Sequence, residues 1–259
     1  MKKYKIDYLI KLGGSVVTEK EVEERVDYLS LNHIAEELSE YQDKKIVLVH
    51  GAGGFGHPVA KKYKIHLGYQ GENQRIGFCF THFSMVTLNK EIVKILLQHS
   101  IPAISVPTYL LARMENKRLI RLDKEPLVKI LKEKMVPVIY GDVAFDEKLR
   151  WSICSGDQII RYIAMEFDVG GVILCSDVDG VFSDDPKNNP EAEFYREIKS
   201  LENLNLGIGF QNDITGGMYG KLLELLKLPV NSRIINGKVR GNLRRAMAGE
   251  QIGTLIRVD

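Results

Sequence analysis

The sequence predicts an α/β fold, an open and mostly parallel sheet sandwiched between helices, and three features carry that reading. Short apolar runs such as residues 46–49 and 171–176 have the length of strands and are apolar enough to be buried on both faces. Stretches of helical period lie between such runs, so strand and helix alternate along the chain. Glycine turns follow the strands at Gly13, Gly53 and Gly156. With the acidic loop at Asp177 they converge off the carboxyl ends of a parallel sheet, where ligands bind.

Residues 7–12 are the first strand and run straight into Gly13, Gly14 and Ser15. Ser30 reads as the N-cap of a helix with Leu31, Ile34, Ala35, Leu38 and Tyr41 at helical spacing, which returns the chain over the sheet. The central stretch, 45–58 (KIVLVHGAGGFGHP), is a buried strand, a glycine loop and a helix with Pro58 near its first position. Residues 64–75 form a polar, lid-like loop, and 76–100 carry a long helical pattern that includes Met85, Val86, Ile92, Val93 and Leu96. A strand at 101–106, a hairpin over 110–122 around Glu115 and Asn116, a short helix at 125–134 and a strand at 136–140 ending at Gly141 and Asp142 come next. Residues 151–155 are extended, and Ser155-Gly156-Asp157 opens a helix that runs to 167. The strand 171–176 then feeds DVDGVFSDDP, a loop dense in carboxylates with Gly180 and Pro186. Thr215-Gly216-Gly217-Met218 starts a helix through 226 with Lys221 in its first turns; Ile234 and Ile235, a helix near 242–248 and a strand at 254–258 finish the chain.

Composition narrows the function classes. The 36 basic and 34 acidic residues of the 259 nearly cancel, so nothing marks a general nucleic-acid or polyanion surface, and local clusters must carry any anion binding. Cys79, Cys154 and Cys175 are odd in number and widely separated, which argues against a disulfide framework or a zinc site and for a reducing cytoplasm. No apolar run approaches the roughly 18 residues of a membrane span, and the N-terminal segment lacks the apolar region of a signal peptide.

The loop after the second strand has the chemistry of a phosphate cradle. Gly51, Gly53, Gly54 and Gly56 allow tight turns that expose backbone N–H groups at a helix start, a source of partial positive charge without a side chain. His50 and His57 bracket it with imidazoles able to bind an oxyanion, and of the two His50 reads as structural. Gly51, Gly53 and Gly56 also fit G-x-G-x-x-G, the dinucleotide fingerprint, which calls for an acid ending a second strand about 20 residues on. Glu72 lies in a polar loop instead, which counts against a nicotinamide oxidoreductase.

Five motifs occur in order: Lys11-Leu12-Gly13-Gly14-Ser15, His50-Gly51-Ala52-Gly53, Ser155-Gly156-Asp157, Ser176-Asp177-Val178-Asp179-Gly180-Val181, and Thr215-Gly216-Gly217-Met218 with Lys221. Together they resemble the amino acid kinase family over essentially the whole chain. Within it, HGAGGFGHP, Lys20, GFCFTH and VPVIYGDV are most similar to the branch that phosphorylates isopentenyl phosphate. Ala52 stands where that loop often has glycine, a harmless change if only its N–H is used, and Gly54 replaces a common small residue.

The resemblance implies one kinase domain, with an acceptor-binding lobe over about residues 1–165 and a nucleotide-binding lobe over 166–259. It implies ATP with Mg²⁺ as donor, a small phosphate as acceptor, isopentenyl diphosphate as product, and a homodimer. Lys11 would contact the transferring phosphoryl group and Lys221 the donor phosphates from the far side, with Gly13, Gly14 and Ser15 supplying backbone donors and Lys20 approaching the phosphate chain. Ala52 and Gly53 would present N–H groups to acceptor and donor, His57 would donate to the acceptor phosphate, and Gly156 would touch the acceptor. Asp157 would hold the lysines, because a carboxylate aimed at phosphates would repel them. Asp177, Asp179 and Gly217 would line the nucleotide side, and no residue is assigned as a metal ligand. An acceptor phosphate that is already ionised needs positioning and charge neutralisation rather than a general base. A kinase of the same fold acting on a fosfomycin-type phosphonate or a carboxylate stays open as the alternative. Phe78 and Met85 are candidate walls of an apolar tail slot, while His82 and His99 read as packing or solvent-facing.

Overall fold

The computed structural model describes residues 3–19, 22–186, 188–202, 204 and 217–258. The chain first forms β1 (Lys5–Leu12), α1 (Gly14–Val17), α2 (Tyr28–Ser39), β2 (Ile46–His50), α3 (Gly53–Lys62), α4 (Gln74–Gln98), β3 (Ala103–Val106) and α5 (Thr108–Leu111). It continues with β4 (Ala112–Glu115), β5 (Arg118–Leu122), α6 (Glu125–Lys132), β6 (Val136–Tyr140), β7 (Asp142–Asp146), β8 (Arg150–Cys154) and α7 (Gly156–Glu166). The last elements are β9 (Asp168–Ser176), β10 (Val181–Phe182), β11 (Phe194–Tyr195), β12 (Glu197–Ile198), α8 (Gly217–Leu225), β13 (Ser232–Asn236), α9 (Asn242–Met247) and β14 (Thr254–Ile256).

The main sheet has the order β12-β14-β13-β9-β1-β2-β6-β3, with only the β13–β14 pair antiparallel. A smaller sheet, β5-β4-β7-β8, carries the two predicted extended pieces at 110–122 and 151–155. On the central strands Val47, Val49, Val172 and Leu174 face one side, and Ile46, Leu48, Ile173 and Cys175 the other. The first side packs α6, α7 and α8 through Leu127, Ile159, Ile163 and Leu222; the second packs α2, α4 and α9 through Ile34, Leu88, Ile92 and Leu243. Helices on both faces leave these strands no wet side, which is why they read as unbroken apolar runs.

Four expectations change in detail. The N-cap of α2 is Asp27, whose Oδ1 accepts the Ser30 N–H at 2.9 Å, and Ser30 is buried in the first turn. Tyr28 and Leu29 are exposed, so the apolar stripe starts later than the helix does. Pro58 lies inside α3 rather than at its start; the Gly54 carbonyl it cannot serve accepts the Glu24 N–H at 3.1 Å instead. Residues 64–75 are stitched down rather than lid-like: Gln74 Nε2 donates to the carbonyls of Tyr63 and Lys64 at 2.9 and 3.1 Å, and Tyr69 packs edge-on against Trp151. Residues 142–146 form β7, paired with β8, which the two flanking aspartates concealed. Asp146 serves the turn between them, accepting the N–H groups of Lys148 and Leu149 at 3.0 and 2.9 Å.

Candidate active site

Three strand-to-helix junctions meet at the carboxyl end of the main sheet: β1 to α1, β2 to α3, and β8 to α7. Their contact is close enough to exclude side chains. A Cβ on Gly14 would lie 2.3 Å from the Gly53 nitrogen, and one on Gly156 would lie 3.2 Å from Lys11 Cε and 3.4 Å from the His50 carbonyl oxygen. Thr18, which no sequence motif singles out, staples the first two junctions: its Oγ1 donates to the Gly14 carbonyl at 2.8 Å and accepts the Gly54 N–H at 3.0 Å. The N–H groups of Gly14, Ser15, Ala52, Gly53, Gly156 and Asp157 take no backbone acceptor among the described residues. Orphaned N–H groups at adjoining helix starts are anion-binding groups by construction.

Lys11 ends its strand inside this cradle, almost wholly buried, with Nζ 2.5 Å from Asp157 Oδ1 on α7. Burial lowers the Lys11 pKa, helped by the charge of Lys221 and opposed by Asp157. Burial would raise the Asp157 pKa, but Lys11 and Lys221 outweigh it and hold the carboxyl below its ordinary range. Asp157 is thus the counter-ion of two lysines that come from opposite ends of the chain. Lys221 reaches this group from α8, half-buried.

His57 is exposed on α3. His50, by contrast, is fully buried, and burial pushes its imidazole down to about 4. His82 is neither simple packing nor a solvent-facing group: Nδ1 lies 2.7 Å from the buried Asp142, and the ring meets Tyr109 edge-on. Their coupling raises the His82 pKa through the Asp142 hydrogen bond, while burial pushes Asp142 up to about 6.

A family model described as the amino acid kinase family matches residues 8–236, a span that holds every junction of the cradle. The chain belongs to the amino acid kinase family. Among relatives, an isopentenyl phosphate kinase of Methanothermobacter thermautotrophicus is 40% identical over 96% of this chain and 98% of its own. One from Arabidopsis thaliana is 31% identical over 82% of this chain and 73% of its own. A solved isopentenyl phosphate kinase structure superposes with a TM-score of 0.86 at 38% identity, covering 96% of this chain and 99% of that one.

Within this kinase-family frame, Ser15 Oγ donates to Asp177 Oδ1 at 2.8 Å, tying the first junction to the loop after β9, and Asn236 Nδ2 donates to Asp179 at 2.9 Å. Gly217 is the first residue of α8; Lys20, Thr215 and Gly216 lie outside the described residues. The described residues contain no group of three or more carboxylates, imidazoles and thiols able to cage a metal ion. Met85 is buried beneath Gly56, and Phe78 stacks on Phe145 with Trp151 beside it.

Proposed function

We propose that this protein transfers the γ-phosphoryl group of ATP to isopentenyl phosphate, giving isopentenyl diphosphate and ADP. One observation carries the reaction class: a buried lysine, held by a largely buried carboxylate, at the floor of a cradle of N–H groups that take no backbone acceptor among the described residues. That arrangement neutralises charge on a phosphoryl group in flight, and an acceptor already ionised needs no general base. The likeness to isopentenyl phosphate kinases over nearly the full chain supports the acceptor.

In this reading Lys11 and Lys221 hold the equatorial oxygens of the transferring group, and Asp157 aims both lysines. Ala52, Gly156 and His57 receive the acceptor phosphate; Gly13, Gly14, Ser15, Gly53, Asp177, Asp179 and Gly217 form the nucleotide side, and Lys20 joins the phosphate chain. The acceptor lobe spans about residues 1–165 and the nucleotide lobe the remainder. When bound, magnesium neutralises the charge on the β- and γ-phosphates that the lysines leave over.

A cytoplasmic homodimer completes the proposal. Ile76, Phe80 and Phe83 form an exposed apolar stripe on α4 that a second copy would cover, and among the described residues no helix is long and apolar enough to cross a membrane. Coupled ADP release over a panel of phosphates, phosphonates and amino acids tests the acceptor; isopentenyl phosphate should lead, and preference for a fosfomycin-type phosphonate overturns the assignment. Calorimetry tests the donor, because tight NADH binding without an ATP signal would sink the kinase reading.

A further inference from the structure

Both ring nitrogens of His50 are engaged. Nδ1 lies 3.0 Å from the Gly51 carbonyl oxygen, Nε2 lies 3.1 Å from Nδ2 of Asn89 on α4, and the ring stacks on Tyr140 at 5.3 Å. All three side chains are buried. A carbonyl oxygen only accepts, so Nδ1 carries the proton. The buried imidazole is neutral, which leaves a lone pair on Nε2 and requires Asn89 to present its amide N–H₂. The same amide nitrogen lies 3.5 Å from the Val138 carbonyl, another acceptor, so one tautomer and one amide orientation satisfy the whole cluster.

The carbonyl that His50 grips belongs to the peptide whose N–H is that of Ala52. In a trans peptide the C=O and N–H point in opposite directions, so drawing the oxygen toward the buried imidazole turns the Ala52 N–H away from it. Gly51 cannot resist rotation of this peptide by itself. It has no side chain because a Cβ there would lie 2.8 Å from the Gly14 nitrogen, and without one its backbone is free to turn. A rotated peptide would set a carbonyl oxygen where the cradle needs a donor, replacing attraction for a phosphate with repulsion.

We propose that His50, held in one tautomer by Asn89, is a positioning residue that locks the Gly51–Ala52 peptide with its N–H toward the acceptor phosphate. The inference rests on reading this loop as the acceptor cradle and adds to it the device that sets the donor's direction. It also explains why an imidazole stands at the end of a strand whose other residues are all aliphatic.

Two substitutions separate this role from packing. His50→Phe keeps a ring against Tyr140 and loses the donor, whereas His50→Asn sets an amide N–H₂ near the place of Nδ1. His50→Phe should lose about 10²-fold in kcat/KM for the acceptor, the scale of one misdirected preorganised donor, with the ATP KM nearly unmoved. His50→Asn should recover most of that loss, whichever variant has the higher Tm. Equal activity of His50→Phe and wild type, or loss in both variants that simply follows Tm, overturns the lock. A readout free of turnover uses ¹⁵N-labelled protein: the wild-type His50 ring should show the Nδ1–H tautomer, and inorganic phosphate should shift the Ala52 amide in wild type but much less in His50→Phe. If wild type turns over no acceptor, the kinase assignment fails, while the lock is still judged by these signals. An Nε2–H tautomer or equal phosphate shifts would refute it.

Discussion

Asp157→Asn keeps the shape of the side chain and removes one charge. The Lys11–Asp157 pair closes at 2.5 Å with side chains only 6% and 15% exposed. At an effective dielectric of about 20 that separation corresponds to a direct attraction of roughly 6–7 kcal/mol. Desolvation offsets part of it, and removing one partner of such a buried pair costs about 3–5 kcal/mol because the other charge is left alone. For a chain of this size that amounts to a fall in Tm of roughly 6–20 °C. The pH dependence is more telling than the size. Burial and Lys221 already lower the Lys11 pKa and Asp157 opposes them, so in the variant it falls further. A buried lysine with a lowered pKa must take up a proton in the folded state at low pH, so the variant's stability deficit is largest there and shrinks as pH rises through the folded pKa. Activity should run the other way, highest at low pH where Lys11 is charged and declining as pH rises. In wild type the lowered Asp157 pKa means its contribution is present above the unfolded carboxyl value and is lost only on acidification through the folded one. Thermal melts and steady-state rates from pH 6 to 9, on the order of three units, test both slopes. A variant whose Tm stays within about 2 °C of wild type and whose rate profile runs parallel to it would show that Asp157 does not hold Lys11.

Three further outcomes follow from the same geometry. Lys221→Ala should lower kcat by roughly 10²- to 10³-fold, as expected for loss of one transition-state contact; normal kcat with only a raised ATP KM in steady-state kinetics would make Lys221 a mere nucleotide anchor. His57→Ala should weaken acceptor binding and kcat together while calorimetric ATP affinity holds, and His57→Gln, which keeps an N–H donor, should retain substantially more activity. Gly14→Ala would place a methyl group 2.3 Å from the Gly53 nitrogen and force the first two junctions apart. Turnover should fall below detection with a lowered Tm, and an active, equally stable variant would show that this close approach is dispensable.

Much of the layering is local information. The runs 46–49 and 171–176 are apolar without alternation because both faces of β2 and β9 are covered. The helical period of α4 is plain from Met85 onward, where Leu88, Ile92, Ile95 and Leu96 are buried, but not in its first turns, which bury Gly77, Thr81 and Ser84 and expose Ile76, Phe80 and Phe83. The three glycine junctions and the carboxylate loop were likewise visible, since a backbone that must turn sharply or approach another backbone leaves glycine in the sequence. What sequence period does not carry is which distant residues meet. Lys11 and Asp157 are 146 residues apart and become partners because β1 lies beside β2, whose carboxyl end adjoins the start of α7. Thr18 and Asn89 look like any polar residues on a turn and a helix; only packing brings Thr18 between two glycine loops and Asn89 against the His50 ring. Aspartates at both ends hid β7, since a carboxylate opposes strand propensity unless a tertiary partner such as His82 is present. Period and turn chemistry act over a few residues and determined the elements; strand order and burial act across the chain, and they decided which charges face one another.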